Sequence, residues 1–123
     1  MRIGIDVAKL ERFVKLVEKQ SFLERVFTQK EIEHIFLHNT IEGKIERLAG
    51  KFCAKEAVCK AFGCGIADGV NFVDIEILPD TKGSPKVTLY NGAKKLMESL
   101  KLNQIEVSIS HDNDIAVANC VAI

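Results

Sequence analysis

Residues 46–66, ERLAGKFCAKEAVCKAFGCGI, constrain the fold of this chain more than any other stretch. Apolar residues recur there at helical spacing with small residues around them, which predicts one helix that packs closely against a sheet. The helix would run for about four to five turns. Gly63 then predicts a left-handed C-terminal cap. Glu56 and Lys60 lie four residues apart and therefore share one face of the helix.

The Glu56–Lys60 spacing has two interpretations. An ordinary surface ion pair explains it and contributes about a few tenths of a kcal/mol. The rest of the chain favours a site instead. The apolar segment RIGIDV carries one carboxylate at Asp6, and EVSISHDNDIAVANCVAI predicts two strands joined at a turn that contains His111 and Asp112. Three apolar segments, each interrupted by charge, predict three walls of one site.

The order of elements indicates an α+β domain. Residues 2–7 predict a well-covered strand and residues 8–19 a helix, while Thr28 and Glu31 form a capping-box pattern that begins another helix. The later elements are strands over 73–79 and 86–90, a helix over 92–102, and strands over 105–110 and 115–122. We therefore predict a single domain, residues 1–123, with helices on one side of an antiparallel sheet. The long central helix is expected to be the main cover.

Two finer predictions concern the surface of this domain. The helical patterns place Val14, Phe36 and Leu37 toward the core. Residues 38–44, HNTIEGK, are expected to form a loop.

Composition excludes several classes of protein. The chain has 123 residues, 47% of them hydrophobic, which suffices for a core. The 17 basic residues balance 17 acidic ones, so nothing indicates a nucleic-acid partner. No apolar run approaches the ~20 residues of a membrane span, and no signal-peptide pattern is present. We therefore predict a cytoplasmic protein without membrane or nucleic-acid partners.

The cysteines are consistent with a reducing compartment. They contain no CxxC pair, and Cys53 and Cys59 would point about 120° apart on a helix. We expect buried thiols that act as small hydrophobes, as opposed to a zinc site. His34 and His38 are four residues apart but lack a third ligand, so exposed helix histidines are the favoured interpretation.

Asp6 is open to two interpretations. It could cap the following helix by accepting from the backbone N–H groups of residues 8 and 9. It could also bind a hard cation, since Mg²⁺ takes one or two protein carboxylates and completes its shell with water and phosphate. The two roles can coexist because a carboxylate has two oxygens. A Ser110–His111–Asp112 triad is excluded, since adjacent strand residues point to opposite faces.

A basic ridge follows the first strand. Lys9, Arg12, Lys15 and Lys19 fall near one side of the predicted helix. Solvated lysines are the usual explanation, but a basic ridge on a neutral protein also suits an acidic protein partner. Arg25 extends the same surface.

Four segments together identify a family. The chain contains IGIDV at 3–7, FCAKEAVCKAFGCGI at 52–66, KGSP at 82–85 and VSISHD at 107–112. In order and separation these segments resemble the holo-acyl-carrier-protein synthases, the small trimeric phosphopantetheinyl transferases of fatty acid biosynthesis. The KEAxxKAxGxG core followed by SISH is far more specific than a lone GxG.

The resemblance implies a reaction and roles for its residues. The phosphopantetheine arm of coenzyme A would move to a serine of apo acyl carrier protein, leaving adenosine 3',5'-bisphosphate. Asp6 and Glu56 would hold Mg²⁺, and Lys60 would stabilise charge on the leaving phosphate. The serine proton would pass to a metal-bound water or to Glu56.

The resemblance also implies binding residues and an assembly. Coenzyme A would contact Lys44, Lys51, Lys60, Gly63, Gly65, Gly83, Pro85, His111 and Asp112. Within this set, Lys44 and Lys51 would bind the outer phosphate, the Gly83–Pro85 turn would lie near the adenine, and His111 would reach the nucleotide across a subunit boundary. Acyl carrier protein, which is strongly acidic, would dock on Arg12, Lys15 and Arg25. The assembly would be a homotrimer with active sites at its subunit boundaries.

Two other classes of function compete with this one. A non-catalytic module could bind acyl carrier protein or coenzyme A through the same surface. A trimeric structural domain could use the same polar residues only as caps and ion pairs. The joint presence of Asp6, Glu56, Lys60 and His111 disfavours both, because a pure binder needs no metal pair.

Overall fold

The computed structural model describes residues 1–65 and 69–123. Its helices and strands, in chain order, are β1 (Arg2–Lys9), α1 (Gln20–Val26), α2 (Gln29–Phe36), α3 (Ile41–Phe62), β2 (Ile75–Pro79), β3 (Pro85–Leu89), α4 (Asn91–Ser99), β4 (Ile105–Asp112) and β5 (Ile115–Ala122). Short 3₁₀ turns occupy Leu10–Phe13, Leu16–Glu18 and Phe72–Asp74.

The strands form two antiparallel sheets. One has the order β1-β5-β4 and the other consists of β2 and β3. The predicted α+β class, with antiparallel strands and a long central helix, is confirmed, although the described strands form two sheets where one was expected. Gly4 and Cys120 are opposite each other in the larger sheet, directly under α3. A Cβ at Gly4 would overlap the Ala57 carbonyl oxygen, so the small residue sets the distance between helix and sheet.

Helix α3 is longer than its pattern predicted. Thr40 caps its start by accepting a hydrogen bond from the Gly43 N–H at 3.0 Å, so residues 41–44 are helical and the predicted loop there is wrong. Gly63, with φ of +69°, ends the helix as predicted. Phe52 lies at the centre of the core, with its ring centroid 5.2 Å from that of Phe13 and 5.4 Å from that of Phe72.

The N-terminal segment differs most from its prediction. β1 continues through Lys9, which is opposite Ile115 on β5, and the predicted helix over residues 8–19 is replaced by two 3₁₀ turns. Pairing with the long β5 extends the strand, so Asp6 lies within it and does not cap a helix. β1 is also an edge strand of its sheet, contrary to the prediction of a well-covered one. Ile3, Ile5 and Val7 are 60% exposed or more.

Helix α2 confirms its predicted start but not its inward residues. Thr28 and Glu31 form the capping box. The helix buries Glu31 and Ile35, while Phe36 and Leu37 are exposed because each further residue turns by about 100° away from that narrow stripe. Val14, between the two 3₁₀ turns, is also exposed.

The described residues include no helix that is both long enough and apolar enough to cross a membrane. Cys53, Cys59 and Cys120 are buried, as predicted, whereas Cys64 is only half-buried. Burial raises the pKa of the Cys120 thiol to about 11, so this thiol is neutral and acts as a small apolar side chain.

Candidate active site

An ion pair joins β1 to α3. The Nζ atom of Lys60 lies 3.1 Å from Oδ1 of Asp6, where the sequence spacing alone pointed to Glu56 as its partner. The Asp6 side chain is 16% exposed and that of Lys60 55% exposed. The carboxylate is therefore held by the fold, whereas the ammonium group has room to move toward a ligand.

Glu56 lies one turn before Lys60 and close enough to Asp6 for their charges to interact. Burial raises the pKa of Glu56, and the Asp6 carboxylate raises it further, while Lys60 and Arg12 oppose this shift. Two carboxylates that repel each other in a half-buried position are stabilised by a cation.

The donor set fits Mg²⁺. Among the described residues, no group of three or more His, Cys, Asp or Glu side chains could hold a metal ion. A site closed by protein ligands alone, as in structural zinc centres, is not formed by them. Asp6 and Glu56 offer the one or two carboxylates that Mg²⁺ needs when water and substrate phosphate supply its other ligands.

Arg12 lies beside these carboxylates. Its guanidinium carbon is 4.9 Å from the centroid of the Phe52 ring and 5.4 Å from that of Phe13. The Arg12 side chain is exposed, and its charge opposes the rise in the pKa of Glu56. Lys15 and Arg25 are exposed as well. The predicted docking residues are thus available at the surface, but on 3₁₀ turns and α1 rather than along one helix.

A separate cleft of about 240 Å³ lies between α3, the β2–β3 hairpin and β4. Four of the residues predicted to bind coenzyme A line it: Lys51, Gly83, Pro85 and His111. The sequence did not predict a place in this lining for His34, Glu46, Arg47 and Gly50. The interpretation of His34 as an exposed helix histidine is wrong, because its side chain is half-buried there. Glu46 and Arg47 lie about one turn before Gly50 and Lys51, so helical spacing from Lys51 was the signal that could have found Arg47.

His111 is held against α3. Its Nε2 atom lies 2.8 Å from the backbone carbonyl oxygen of Glu46, which can only accept, so Nε2 carries a proton. In the neutral ring this leaves Nδ1 as an acceptor. Gly50 permits the approach, because a Cβ there would lie 3.1 Å from Nε2 of His111 and 2.9 Å from Cγ2 of Ile109.

The cleft also carries more positive than negative charge, because Arg47 and Lys51 outnumber Glu46 in its lining. Lys51 is 4% exposed and donates from Nζ to the Ile77 carbonyl oxygen at 2.8 Å. Arg47 donates to the His34 carbonyl oxygen at 2.7 Å. Burial lowers the pKa of Lys51 to about 8. Burial and the charges of Lys51 and Arg47 lower the pKa of His34 to about 4. Such a cleft attracts anions.

The other predicted coenzyme A residues lie outside the cleft lining. The Lys44 ammonium is 5.6 Å from the centroid of the Phe36 ring. Asp112 is exposed at the end of β4; the turn predicted at His111 and Asp112 is wrong, because both residues belong to β4 and pair with β5. Gly63 and Gly65 follow α3 beyond Lys60. Ile66, the last residue of the stretch predicted to organise the fold, lies outside the described residues.

The predicted site residues therefore form two groups. Lys51 and Glu56 are five residues apart on α3, which separates their side chains by about 140° around the helix. The anion-attracting cleft and the carboxylate pair thus lie on different sides of the same helix.

Comparison with known proteins relates these groups to a family. Residues 2–120 match the sequence model of the 4'-phosphopantetheinyl transferase superfamily. A holo-[acyl-carrier-protein] synthase of Caldicellulosiruptor saccharolyticus is 52% identical over 120 residues, which cover 98% of this chain and 94% of that protein. The crystal structure of the Neisseria meningitidis holo-[acyl-carrier-protein] synthase superposes with a TM-score of 0.87 at 31% identity, covering 99% of this chain and 97% of that one. The Helicobacter pylori enzyme in complex with coenzyme A gives a TM-score of 0.80 at 36% identity, covering 98% and 99%.

Proposed function

The chain belongs to the 4'-phosphopantetheinyl transferase superfamily, and we propose that it transfers the phosphopantetheine arm of coenzyme A to a serine of apo acyl carrier protein. Adenosine 3',5'-bisphosphate is the second product. Relatives named holo-[acyl-carrier-protein] synthase and a solved complex with coenzyme A support this transferase over a non-catalytic binding module. The observation that carries the proposal is the pairing of Asp6 with Lys60 beside Glu56.

Asp6, Glu56 and Lys60 form the part of the site at which the phosphoryl transfer takes place. Asp6 and Glu56 would hold Mg²⁺, which would neutralise the pyrophosphate and polarise the scissile phosphorus–oxygen bond. Lys60 moves from Asp6 to the leaving phosphate as a compact, mobile charge. The serine proton would pass to Glu56 or to a water that the cation holds. Gly63 and Gly65 let backbone approach the substrate closely.

The cleft binds the nucleotide part of coenzyme A. His111 presents an acceptor nitrogen, and the Gly83–Pro85 turn offers a surface for the adenine ring. Lys44 and Lys51 are the predicted contacts of the outer phosphate, and Asp112 supports His111 from the end of β4. Arg47 adds a positive charge that the sequence reasoning did not include.

A subunit assembly brings the two groups into one site. Because the cleft and the carboxylates lie on different sides of α3, one substrate spans both when the cleft of one subunit faces the carboxylates of another. The exposed apolar row on β1, formed by Ile3, Ile5 and Val7, supports such an association. We propose the homotrimer implied by the family resemblance, with one active site at each boundary.

The carrier protein approaches the carboxylate end. Arg12, Lys15 and Arg25 are exposed cations, and the charge of Arg12 acts on Glu56, so they suit an acidic partner that must present its serine to the carboxylates. We place the reaction in the cytoplasm and in fatty acid biosynthesis, consistent with the buried thiols of Cys53, Cys59 and Cys120.

The test is the intact mass of apo acyl carrier protein after incubation with this protein, coenzyme A and Mg²⁺. A gain of about 340 Da that EDTA abolishes is expected for metal-dependent transfer of the arm. No gain with several carrier proteins, from a folded sample, would instead favour the binding module.

Substitution of Glu56 tests the assignment of the carboxylates. Glu56→Gln keeps the shape of the side chain but weakens metal binding and proton transfer, so turnover is expected to fall at least about a hundredfold in a folded protein. Glu42→Gln, on the exposed first turn of α3, is the matched control and should leave turnover unchanged. Turnover that survives in Glu56→Gln contradicts the assignment.

A further inference from the structure

A cluster of buried charges behind the cleft has no part in the chemistry described above. Glu31 and Lys55 are both fully buried and form an ion pair, with 2.8 Å between Nζ and Oε1. Lys55 also donates to the backbone carbonyl oxygens of Phe72 and Ile75. Glu31 accepts from the Ile77 N–H through Oε2 at 2.8 Å. Charges so completely removed from water persist only when their partners satisfy them, as these do.

These contacts all lead to strand β2. Within the described residues, β2 pairs with β3 along one edge and with no other strand. Side chains instead bond three of its backbone groups: the carbonyl oxygen of Ile75 by Lys55, the N–H of Ile77 by Glu31, and the carbonyl oxygen of Ile77 by Lys51. Side chains from α2 and α3 thus take the place of a neighbouring strand.

The β2–β3 hairpin needs such support to hold its position. A two-stranded sheet by itself is marginally stable in water. Leu78, Pro79, Gly83 and Pro85 of this hairpin form one wall of the cleft, whereas the opposite wall belongs to α3 and β4. The distance between the walls therefore depends on the bonds that tie β2 to α3.

We propose that Glu31, Lys51 and Lys55 act as a clamp on β2 that sets the width of the cleft and so the affinity for the nucleotide part of coenzyme A. This inference rests on the proposed function, and it makes the three side chains positioning residues that hold the hairpin in place. It also gives the capping-box glutamate a second role, since the same Oε1 of Glu31 accepts from the Thr28 N–H at 2.9 Å. A cleft whose walls are already fixed in the binding arrangement loses less conformational entropy when it binds its ligand.

The test is the double variant Glu31→Gln/Lys55→Met, assayed by steady-state kinetics. Removing both charges avoids leaving one of them buried alone, so the protein is expected to fold. We expect the KM for coenzyme A to rise about tenfold. The KM for acyl carrier protein should be unchanged and kcat nearly so. Unaltered KM for coenzyme A in the folded variant overturns the proposal.

An exposed ion pair between the same hairpin and β4 provides the control. Lys86 of β3 lies 3.7 Å from Glu106 of β4, and both side chains are half exposed. Lys86→Met/Glu106→Gln removes as many charges from the same region, but exposed pairs contribute little. This control should keep the wild-type KM for coenzyme A. A rise equal to that of the buried double variant would show a general charge effect and overturn the clamp.

Lys51 requires its own experiment, because it was also predicted to bind the outer phosphate. Lys51→Met is compared on coenzyme A and on dephospho-coenzyme A, which lacks that phosphate. A clamp residue raises the KM for both substrates by the same factor. A rise for coenzyme A alone assigns Lys51 to the phosphate and removes it from the clamp.

Hydrogen exchange separates the clamp from the proposed function. In the unliganded protein, the Ile77 amide should exchange faster in the double variant than in the wild type, since its bond to Glu31 is weakened. A wild-type protein that transfers no arm overturns the proposed function, and these exchange rates still test the clamp. Equal exchange rates overturn the clamp.

Discussion

Gly50→Ala is predicted to impair nucleotide binding without unfolding the protein. A glycine inside a helix costs roughly 1 kcal/mol relative to alanine, so the substitution by itself favours α3. The new Cβ lies 2.9 Å from Ile109 Cγ2 and 3.1 Å from Nε2 of His111, and such overpacking costs about 1 to 3 kcal/mol. Both contacts are to side chains, which can move. The free energy of unfolding should therefore fall by no more than about 2 kcal/mol.

The functional effect comes from His111. When the ring moves, its 2.8 Å hydrogen bond to the Glu46 carbonyl is lost, and with it the fixed orientation of the imidazole in the cleft lining. Losing one oriented hydrogen bond to the nucleotide corresponds to about a tenfold rise in the KM for coenzyme A. Initial rates at varied coenzyme A, with the unfolding temperature measured in parallel, provide the assay.

Two further variants make this prediction refutable. In a His111→Ala background, Gly50→Ala should add little to the KM, because the two substitutions act on one interaction. Gly43→Ala is the matched control on the same helix, since its Cβ would overlap the His38 ring away from the cleft. It should cost stability but leave the KM unchanged. An unchanged KM in Gly50→Ala, or equal effects in both backgrounds, would contradict the role of Gly50 in orienting His111.

Three further predictions follow from single contacts. Lys60→Met should lower kcat about a hundredfold or more while the unfolding temperature stays nearly constant, because its pair with Asp6 is half exposed; a kcat near the wild-type value would contradict the assignment. Lys55→Met alone leaves Glu31 buried without its cation and should cost about 3 to 5 kcal/mol in urea unfolding, and a cost below that of the double variant would be inconsistent with a buried pair. The pKa of His34 is lowered to about 4, so below its unfolded value of roughly 6.5 the unfolded chain binds the proton more tightly and the wild type loses stability as pH falls toward 4. As pH falls from roughly 6.5 toward 4, the unfolding temperature of the wild type should therefore drop relative to that of His34→Gln. A difference between the two proteins that stays constant with pH would contradict this prediction.

Local sequence patterns predicted the elements whose signals are local. The capping box of Thr28 and Glu31 and the glycine cap at Gly63 are confirmed, because both depend on bonds within one turn of the chain. The helix predicted over residues 8–19 is wrong because the structure there depends on a contact that is distant in the sequence. Their apolar spacing was helical, but pairing with β5 carried the strand through Lys9 before any helix could begin.

The residues of the candidate site could be named from the sequence, but their arrangement in space could not. Asp6, Glu56 and Lys60 were predicted from spacing and family resemblance, and the family match confirms the transferase class. Helical spacing pointed to Glu56 as the partner of Lys60, yet the ammonium group lies on Asp6, which is 54 residues away in the sequence. Only the packing of α3 against β1 creates that pair.

The fold class, the central helix and the family could all be predicted from the amino-acid sequence, since they depend on periodicity and on motifs whose residues lie close together in the chain. How those residues are arranged depends on the packing of the elements against one another. This packing places the cleft and the carboxylates on different sides of α3, and it buries Lys51 and Lys55 against β2, where charge patterns predict exposure. The physical reason is that burial and long-range hydrogen bonds arise only when separate elements pack. The free energy of a buried lysine therefore depends on partners such as Glu31 and Ile77 that its own neighbours in the sequence do not reveal.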